Sequence, residues 1–277
     1  MQKTDISTAE KNTLTSNMTP FLIAFILSSV LAVTAVSLNA VSLFGGILAW
    51  ILCTAMSWLG GLSLFLTIST VLLITVACAK YAGKKADPFR LRKKHGRRGA
   101  ERILCNIGIA GLMCMIYGLT ANRVFLISCY TALAESLSDS VASKIGPLTK
   151  GKTIDLCTLK PADVGISGGI SIQGTLTAFA GSLIIGIIYF IFNRNFSDFI
   201  FITICGFVGC MCDSFLGSLF QLKYKCPKCS RLTESQYHCD TYTEYFKGIK
   251  VLNNDLVNLL SNASAALLAL ILVVIIK

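Results

Sequence analysis

The feature that most constrains this chain is residues 20–79, sixty consecutive positions without an Asp, Glu, Lys or Arg. The hydrocarbon core of a bilayer needs about 20 apolar residues per helix. The block therefore suits three short spans, with breaks predicted at Ser37-Leu38-Asn39 and Leu59-Gly60-Gly61, at 20–37, 41–58 and 61–79. Two spans with a re-entrant segment would fit almost equally well.

Composition extends this interpretation to the whole chain. Of its 277 residues, 54% are hydrophobic and 14% are charged, whereas soluble domains carry about 25% charged residues. These values exclude a soluble enzyme and a disordered protein. Further spans are predicted at 103–121, 124–143, 172–192, 199–222 and 256–276. We therefore expect an all-α, polytopic transmembrane helix bundle of about eight spans, with a polar, mobile tail at 1–19, an N-terminal block at 20–79 and a second transmembrane domain at 80–277.

The basic residues are concentrated in alternate loops. Segments 80–102, 144–163 and 223–250 carry ten, four and six Lys or Arg residues, while the turns between them hold only Arg123 and Arg194. Loops rich in Lys and Arg usually face the cytoplasm. We expect a multi-pass protein of the cell membrane with these three loops inside. Three spans before residue 80 would place both termini outside, and two would place the N-terminus inside.

Carboxylates at membrane depth are costly and by default indicate function. Glu135 and Asp139 lie four residues apart, hence on one helical face, and Asp213 lies midway through its span. Each could pair with a base, bind a cation, relay protons or reach water at the interface. Small residues around Asp139 and Asp213 favour close helix packing, which would bring these two carboxylates together.

Several segments could bind phosphate. The glycine-rich run 165–174 precedes a predicted span, and free amides at the start of a helix attract anions. The same run could equally be a re-entrant segment, a packing run or a helix break. Arg97 and Arg98 belong to a basic run that could instead be a lipid-binding loop; no motif for nucleic-acid binding accompanies it. Residues 146–153 fit the P-loop pattern without its strand and helix, so phosphate contact by Lys150 or Lys152 is the milder hypothesis.

Two further groups could bind metal. Asn254, Asp255 and Asn258 open the last span and could direct oxygens to a hard cation, although capping of the helix explains them equally well. Cys226 and Cys229 have the spacing of zinc ligands. Their partners His238 and Cys239 are adjacent in sequence, which strains tetrahedral geometry, so we favour a reduced loop turn over a zinc knuckle.

Five blocks, in order between residues 94 and 262, resemble an integral membrane family that includes the plant phytyl-phosphate kinase of vitamin E synthesis and the transmembrane-protein-19 homologues. These blocks are Lys94-His-Gly-Arg97-Arg98 with Ile103-Leu-Cys-Asn106, Asp139-Ser-Val-Ala-Ser143-Lys-Ile-Gly146, Gly165-Ile-Ser-Gly168-Gly169-Ile-Ser with Gly174-Thr, Cys212-Asp213-Ser214-x-Leu216-Gly217 with Gln221, and Gly248 through Leu252-Asn-Asn-Asp255-x-Val257-Asn258.

The resemblance implies phosphoryl transfer from a nucleoside triphosphate, CTP being favoured, to a prenyl monophosphate. It implies Asp139 and Asp213 as catalytic residues, and Mg²⁺ held by Asp139, Asp213, Asn254, Asp255 and Asn258. The implied phosphate ligands are Arg97, Arg98, Asn106, Lys150, Lys152, Gly168 and Gly169. The prenyl tail would lie between the spans, among membrane lipids.

The chain departs from the family pattern at two places. Lys144 stands where the family usually has Glu, and Ile166-Ser167 replaces Thr-Asn before the two glycines. These differences leave substrate and activity open. A transporter or carrier for a lipid phosphate or other anion would also use broken helices and carboxylates at the midplane. A non-catalytic membrane protein is the third alternative.

Overall fold

The computed structural model describes residues 3–85, 99–148 and 151–276, with side chains from residue 18 onward. Within these residues the chain forms seven long helices joined by turns and short strands, which confirms the all-α prediction. The helices are α1 (Lys3–Ser37), α2 (Leu43–Lys85), α3 (Ala100–Thr120), α4 (Arg123–Ile145), α5 (Ile172–Asn193), α6 (Phe196–Leu219) and α7 (Asn254–Ile276).

Six of these helices are long and apolar enough to cross a membrane, counting α1 from Met18. The exception is α4, the predicted span 124–143, which carries four serines and two carboxylates between residues 128 and 140. Most of the stretch predicted as a polar tail, from Lys3 to residue 19, forms the first part of α1.

Helix α2 reverses direction at Gly61. This residue has φ 70° and ψ −165°, outside the helical region. Leu52 and Leu72 both pack against the small cluster that contains Val41 and Ile103, although a straight helix would separate them by about 30 Å. The two arms, 43–60 and 61–85, are therefore separate crossings. This geometry agrees with three N-terminal spans, and with α4 the total is eight.

Helix α4 lies at the centre of the bundle and contacts α2, α3, α5, α6 and α7. Small residues permit the close approach of its neighbours. A Cβ added at Gly206 of α6 would lie 2.6 Å from the Cβ of Ala134, and one at Gly209 would lie 2.8 Å from Cγ of Glu135. This packing explains how α4 buries polar groups away from lipid, because protein surrounds it.

The long connections meet at one end of the bundle, which we call the loop end. Here α4 and α6 finish and α5 and α7 begin; the opposite turn end holds the tight turns 121–122 and 194–195. At the loop end β1 (Ile154–Asp155) pairs with β2 (Gly169–Ile170), and β3 (Lys223–Lys225) lies between β4 (Leu232–Thr233) and β7 (Glu244–Lys247), while β5 (Tyr237–His238) pairs with β6 (Thr241–Tyr242). The glycine run 165–174 thus forms a turn, β2 and the start of α5.

Candidate functional site

Three helices bring carboxylates together inside the bundle. Glu135 of α4 is fully buried, with 0% of its surface exposed. Ser261 of α7 donates a hydrogen bond to Oε1 of Glu135 at 2.7 Å and lies 3.3 Å from Oδ2 of Asp213 on α6. Asn262 donates from Nδ2 to Oε2 of Glu135. Asp139, one turn beyond Glu135, interacts electrostatically with both other carboxylates. We call Glu135, Asp139 and Asp213 the carboxylate cluster.

Asp139 and Asp213 lie toward the loop end, whereas Glu135, ten residues before the end of α4, lies near the middle of its helix. Asp139 is six residues before the end of α4, and Asp213 is six before the end of α6, which places both about 9 Å inside their helices. The sequence predicts that these two residues lie close together. Glu135 is among the carboxylates that the sequence singles out, though not among its predicted catalytic or metal-binding residues, and it accepts hydrogen bonds from both Ser261 and Asn262. Ser261 and Asn262 were missed, and their only signal was polarity within an apolar span.

Glu135 and Asp213 accept hydrogen bonds but receive no ion pair from the described residues. Oδ1 of the fully buried Asn262 accepts no hydrogen bond. Buried carboxylates require protons, a counter-ion or a metal. Carboxylate and amide oxygens are ligands of hard divalent cations.

Asparagines form the rim of the cluster. Nδ2 of Asn258 donates to Oδ1 of Asn106 at 3.0 Å; with its amide reversed, it donates to Oδ2 of Asp213 at 3.1 Å. Nδ2 of Asn254 donates to Oδ1 of Asn258 at 3.4 Å. The predicted ligands Asn254 and Asn258 thus border the cluster. Asp255 instead accepts from Nε of Arg102 at 3.1 Å, so its carboxylate is directed to α3.

The predicted phosphate-binding glycines pack against the end of α6. Gly168 has φ 87°, and a Cβ there would lie 2.5 Å from Cα of Ser218, so both the space and the conformation require glycine. The amide of Gly169 donates to the carbonyl of Ile166 at 3.1 Å. That N–H is therefore occupied by the turn itself. Phosphate binding at these two residues remains a prediction.

Two charged residues of the loop after α6 hold the glycine run in place. Lys223, 2% exposed, donates from Nζ to the carbonyl of Ser167 at 2.7 Å. Burial and the nearby Lys247 lower the pKa of Lys223. Glu234 accepts from the amide and hydroxyl of Ser167 at 3.0 and 2.6 Å, and it interacts electrostatically with Asp213. Sequence analysis missed both, because neither lies in a span or a motif.

The structure describes only one of the four basic residues predicted to bind phosphate, Lys152. Arg97, Arg98 and Lys150 lie outside the described residues. Lys152 is exposed at the loop end. Lys144, which replaces the family's Glu, donates from Nζ to the carbonyl of Ser140 at 2.8 Å, and so caps its own helix.

The four residues of the sequence-level zinc candidate converge. Ligand atoms of Cys226, Cys229, His238 and Cys239 all lie within 4.8 Å of one another. Burial opposes ionisation of Cys226, but hydrogen bonds from His238 and from the amides of Cys229 and Lys228 lower its pKa to about 6. The adjacency of His238 and Cys239 therefore does not prevent the four from facing a common point.

An apolar cavity adjoins the carboxylate cluster. It lies between α1, both arms of α2, α3 and α4, and its walls include Leu31, Ile68 and Ile103. Its polar edge is formed by Asn106, which contacts Asn258, and by Ser136 and Ser140 of α4. The N-terminal block thus forms most of the wall of an apolar cavity, and Asn106 connects this cavity to Asn258 at the rim of the cluster.

A buried carboxylate at the turn end has a different environment. Asp198, fully buried, forms an ion pair with Nη2 of Arg123 and accepts a hydrogen bond from the hydroxyl of Tyr189 at 2.7 Å. Nε of Arg123 also donates to that hydroxyl at 3.3 Å. This closed network neutralises Asp198 and indicates a structural role.

Comparison with known proteins places these features in context. Residues 26–266 match the family model described as integral membrane protein DUF92. No solved structure matches the chain. An uncharacterised membrane protein of Synechocystis is 27% identical over 65% of this chain and 69% of its own length. The chloroplastic protein VTE6 of Arabidopsis thaliana is 24% identical over 91% of this chain and 69% of its own length. Protein PGR of the same plant is 23% identical over 89% of this chain and 94% of its own length.

Proposed function

This chain belongs to the integral membrane family DUF92, and on that premise we propose that it phosphorylates a prenyl monophosphate to its diphosphate with a nucleoside triphosphate. The observation that carries the proposal is the carboxylate cluster, which the contact between Asn258 and Asn106 links to an apolar cavity. The phosphate head of the substrate would lie at the carboxylate cluster, and its lipid tail would lie in the apolar cavity.

The donor set of the cluster fits Mg²⁺. Its carboxylates come from two helices, and Asn262 adds a buried amide oxygen without a partner. Asp139 and Asp213 would hold the ion, with Asn258 and Asn254 at the rim. When bound, Mg²⁺ neutralises charge on the phosphates and stabilises the transferring group. Ser261 and Asn262 hold Glu135 in place through their hydrogen bonds, which is the orienting role that outer ligands play at metal sites.

The reaction itself needs mainly positioning. An oxygen of the prenyl phosphate attacks the γ-phosphorus of the donor, the bond from that phosphorus to the bridging oxygen breaks, and the nucleoside diphosphate leaves. Arg97, Arg98, Lys150 and Lys152 are the proposed contacts of the donor phosphates. With the loop end in the cytoplasm of a cell, as the basic loops favour, nucleotide would reach the site from the aqueous side.

The substrate tail would occupy the cavity between α1, α2, α3 and α4. Asn106, Ser136 and Ser140 would mark the boundary between the tail and the head group, because they form the polar edge of the cavity. This assignment gives the N-terminal block a role beyond anchoring.

The direct test uses purified protein with labelled CTP, ATP, GTP or UTP and a panel of prenyl monophosphates. We expect a prenyl diphosphate with at least one pairing, and loss of product in Asp139→Asn and Asp213→Asn. Asp163→Asn is the matched control, since Asp163 is an exposed carboxylate on the same face. Absence of diphosphate with every pairing would overturn the proposal.

The same cluster could serve a carrier of lipid phosphate or another anion. Proteoliposomes separate the two functions. Uptake of a prenyl phosphate without nucleotide, and without chemical conversion, would favour the carrier.

A further inference from the structure

Four side chains in the loop between α6 and α7 have the geometry of a metal site. Cys229 Sγ lies 3.6 Å from Nδ1 of His238. A tetrahedral ion with Zn–S near 2.3 Å and Zn–N near 2.1 Å would separate these atoms by about 3.6 Å. We propose that Cys226, Cys229, His238 and Cys239 bind one structural zinc ion, which fixes this loop over the carboxylate cluster.

The first pair of ligands lies in a tight turn after β3. The amide of Ser230 donates to the carbonyl of Cys226 at 2.8 Å, and the amide of Cys226 donates to the carbonyl of Arg231 at 3.0 Å. This turn places the thiols of Cys226 and Cys229 side by side.

The second pair lies at the tip of the β5–β6 hairpin. Cys239 and Asp240 have φ 51° and 56°, the backbone of a two-residue hairpin turn with both central residues left-handed. The chain changes direction between His238 and Cys239, so both ligand atoms reach the same point. Neighbours in sequence can therefore occupy two corners of one tetrahedron.

Apart from its hydrogen bonds to the glycine run, the surrounding loop has only short strands and exposed aromatic side chains. Its strands are two to four residues long, and the aromatic side chains of Tyr237, Tyr242 and Tyr245 are exposed. Such small sheets are marginal without additional links. Three thiolates and one imidazole fill all four positions of a tetrahedral ion, which is typical of structural rather than catalytic zinc. Binding energy at such a site contributes directly to folding.

The zinc site would also determine how the loop meets the rest of the loop end. Lys223 lies three residues before Cys226, and Glu234 lies five after Cys229. Both residues hydrogen-bond Ser167 in the glycine run. The ion would therefore hold Glu234, which interacts with Asp213, at the mouth of the cluster.

The test is metal analysis of the full-length protein, purified in detergent under reducing conditions from growth medium without added metal. Mass spectrometry of the elements should find about one zinc per chain. Cys229→Ser and Cys239→Ser should lose most of it, and Cys157→Ser, a partly exposed thiol of the same end outside the site, should retain it. Activity is not the readout, so this test is independent of the proposed function.

X-ray absorption on the unmutated protein keeps the test decisive if a variant misfolds. The expected zinc environment is three sulfurs and one nitrogen. Folded protein with reduced thiols and no zinc would overturn the proposal, as would zinc with oxygen and nitrogen ligands alone. Full zinc content in both serine variants would overturn it as well.

Discussion

The carboxylates at the turn end and in the carboxylate cluster differ in their hydrogen-bond and ion-pair partners. At the turn end, Asp198 is enclosed by Arg123 and Tyr189. In the carboxylate cluster, Ser261 donates hydrogen bonds to both Glu135 and Asp213. Neither carboxylate forms an ion pair with a described residue. Burying a charge is costly; Glu135 and Asp198 are fully buried, and Asp213 is half-buried. Among the described residues, Arg123 compensates the charge of Asp198, and no ion pair compensates Glu135 or Asp213.

This difference separates a structural carboxylate from a candidate functional one. A completed ion pair needs no ligand, and breaking it should reduce stability. A cluster of carboxylates can bind a cation, so replacing one of them by its amide should affect binding and chemistry. The two ends thus predict opposite phenotypes for equally conservative substitutions.

The largest expected effect is on turnover. Asp213→Asn removes a charge that would stabilise bound Mg²⁺, an interaction of several kcal/mol, so prenyl diphosphate formation should fall by about a thousandfold. Thermal unfolding in detergent should show a midpoint equal to or above that of the unmutated protein, since one of three like charges is gone. Turnover within threefold of normal would contradict the assignment.

The converse change is at the turn end. Arg123→Gln leaves Asp198 buried without its cation, and breaking a buried pair costs about 3–5 kcal/mol; we expect the lower value because Tyr189 still donates. The thermal midpoint should drop clearly while the turnover of folded protein is kept. Arg194→Gln, at the same end outside the network, is the matched control. A normal midpoint for Arg123→Gln would remove the structural interpretation.

Mg²⁺ should stabilise the protein in the absence of nucleotide. A ligand at 100 times its dissociation constant adds about 2.7 kcal/mol, which should appear as a raised unfolding midpoint in a magnesium titration. Glu135→Gln and Asp213→Asn should lose this response, and Arg123→Gln should keep it. If every variant responds like the unmutated protein, the cation binds elsewhere.

The smallest effect is expected from the groups that orient Glu135. Ser261→Ala removes a hydrogen bond to Glu135 without removing a carboxylate, and loss of such a supporting contact costs about 10- to 100-fold in metal affinity or activity. Ser264→Ala changes a half-buried serine one turn further along α7, whose hydroxyl donates to the carbonyl of Leu260 in the same helix, and should be silent. Equal behaviour of the two variants would remove Ser261 from the site.

Hydropathy was sufficient to predict most of the fold. Uncharged segments mark the lipid-facing helices, and Gly60-Gly61 correctly marks the reversal of α2. The central place of α4 could not be predicted, because a segment with buried serines and carboxylates resembles an interfacial helix until its neighbours are known.

The site was predictable where charge is rare. Asp139 and Asp213 stand out in apolar spans, and the structure brings them close. Glu135 lies outside the blocks that resemble the family, and Asn262 carries no charge, so their shared place in the site is visible only in the structure. The four zinc candidates illustrate the same limit, since a left-handed turn at Cys239 cannot be seen in residue spacing.

The reversal of α2 within a single residue also bears on how this protein is made. A straight rod of that length would be about 64 Å, roughly twice the hydrocarbon thickness of a bilayer. The two arms have no linker at Gly61, so we expect them to enter the membrane as one hairpin. The basic residues that follow the second arm would then set the orientation of both.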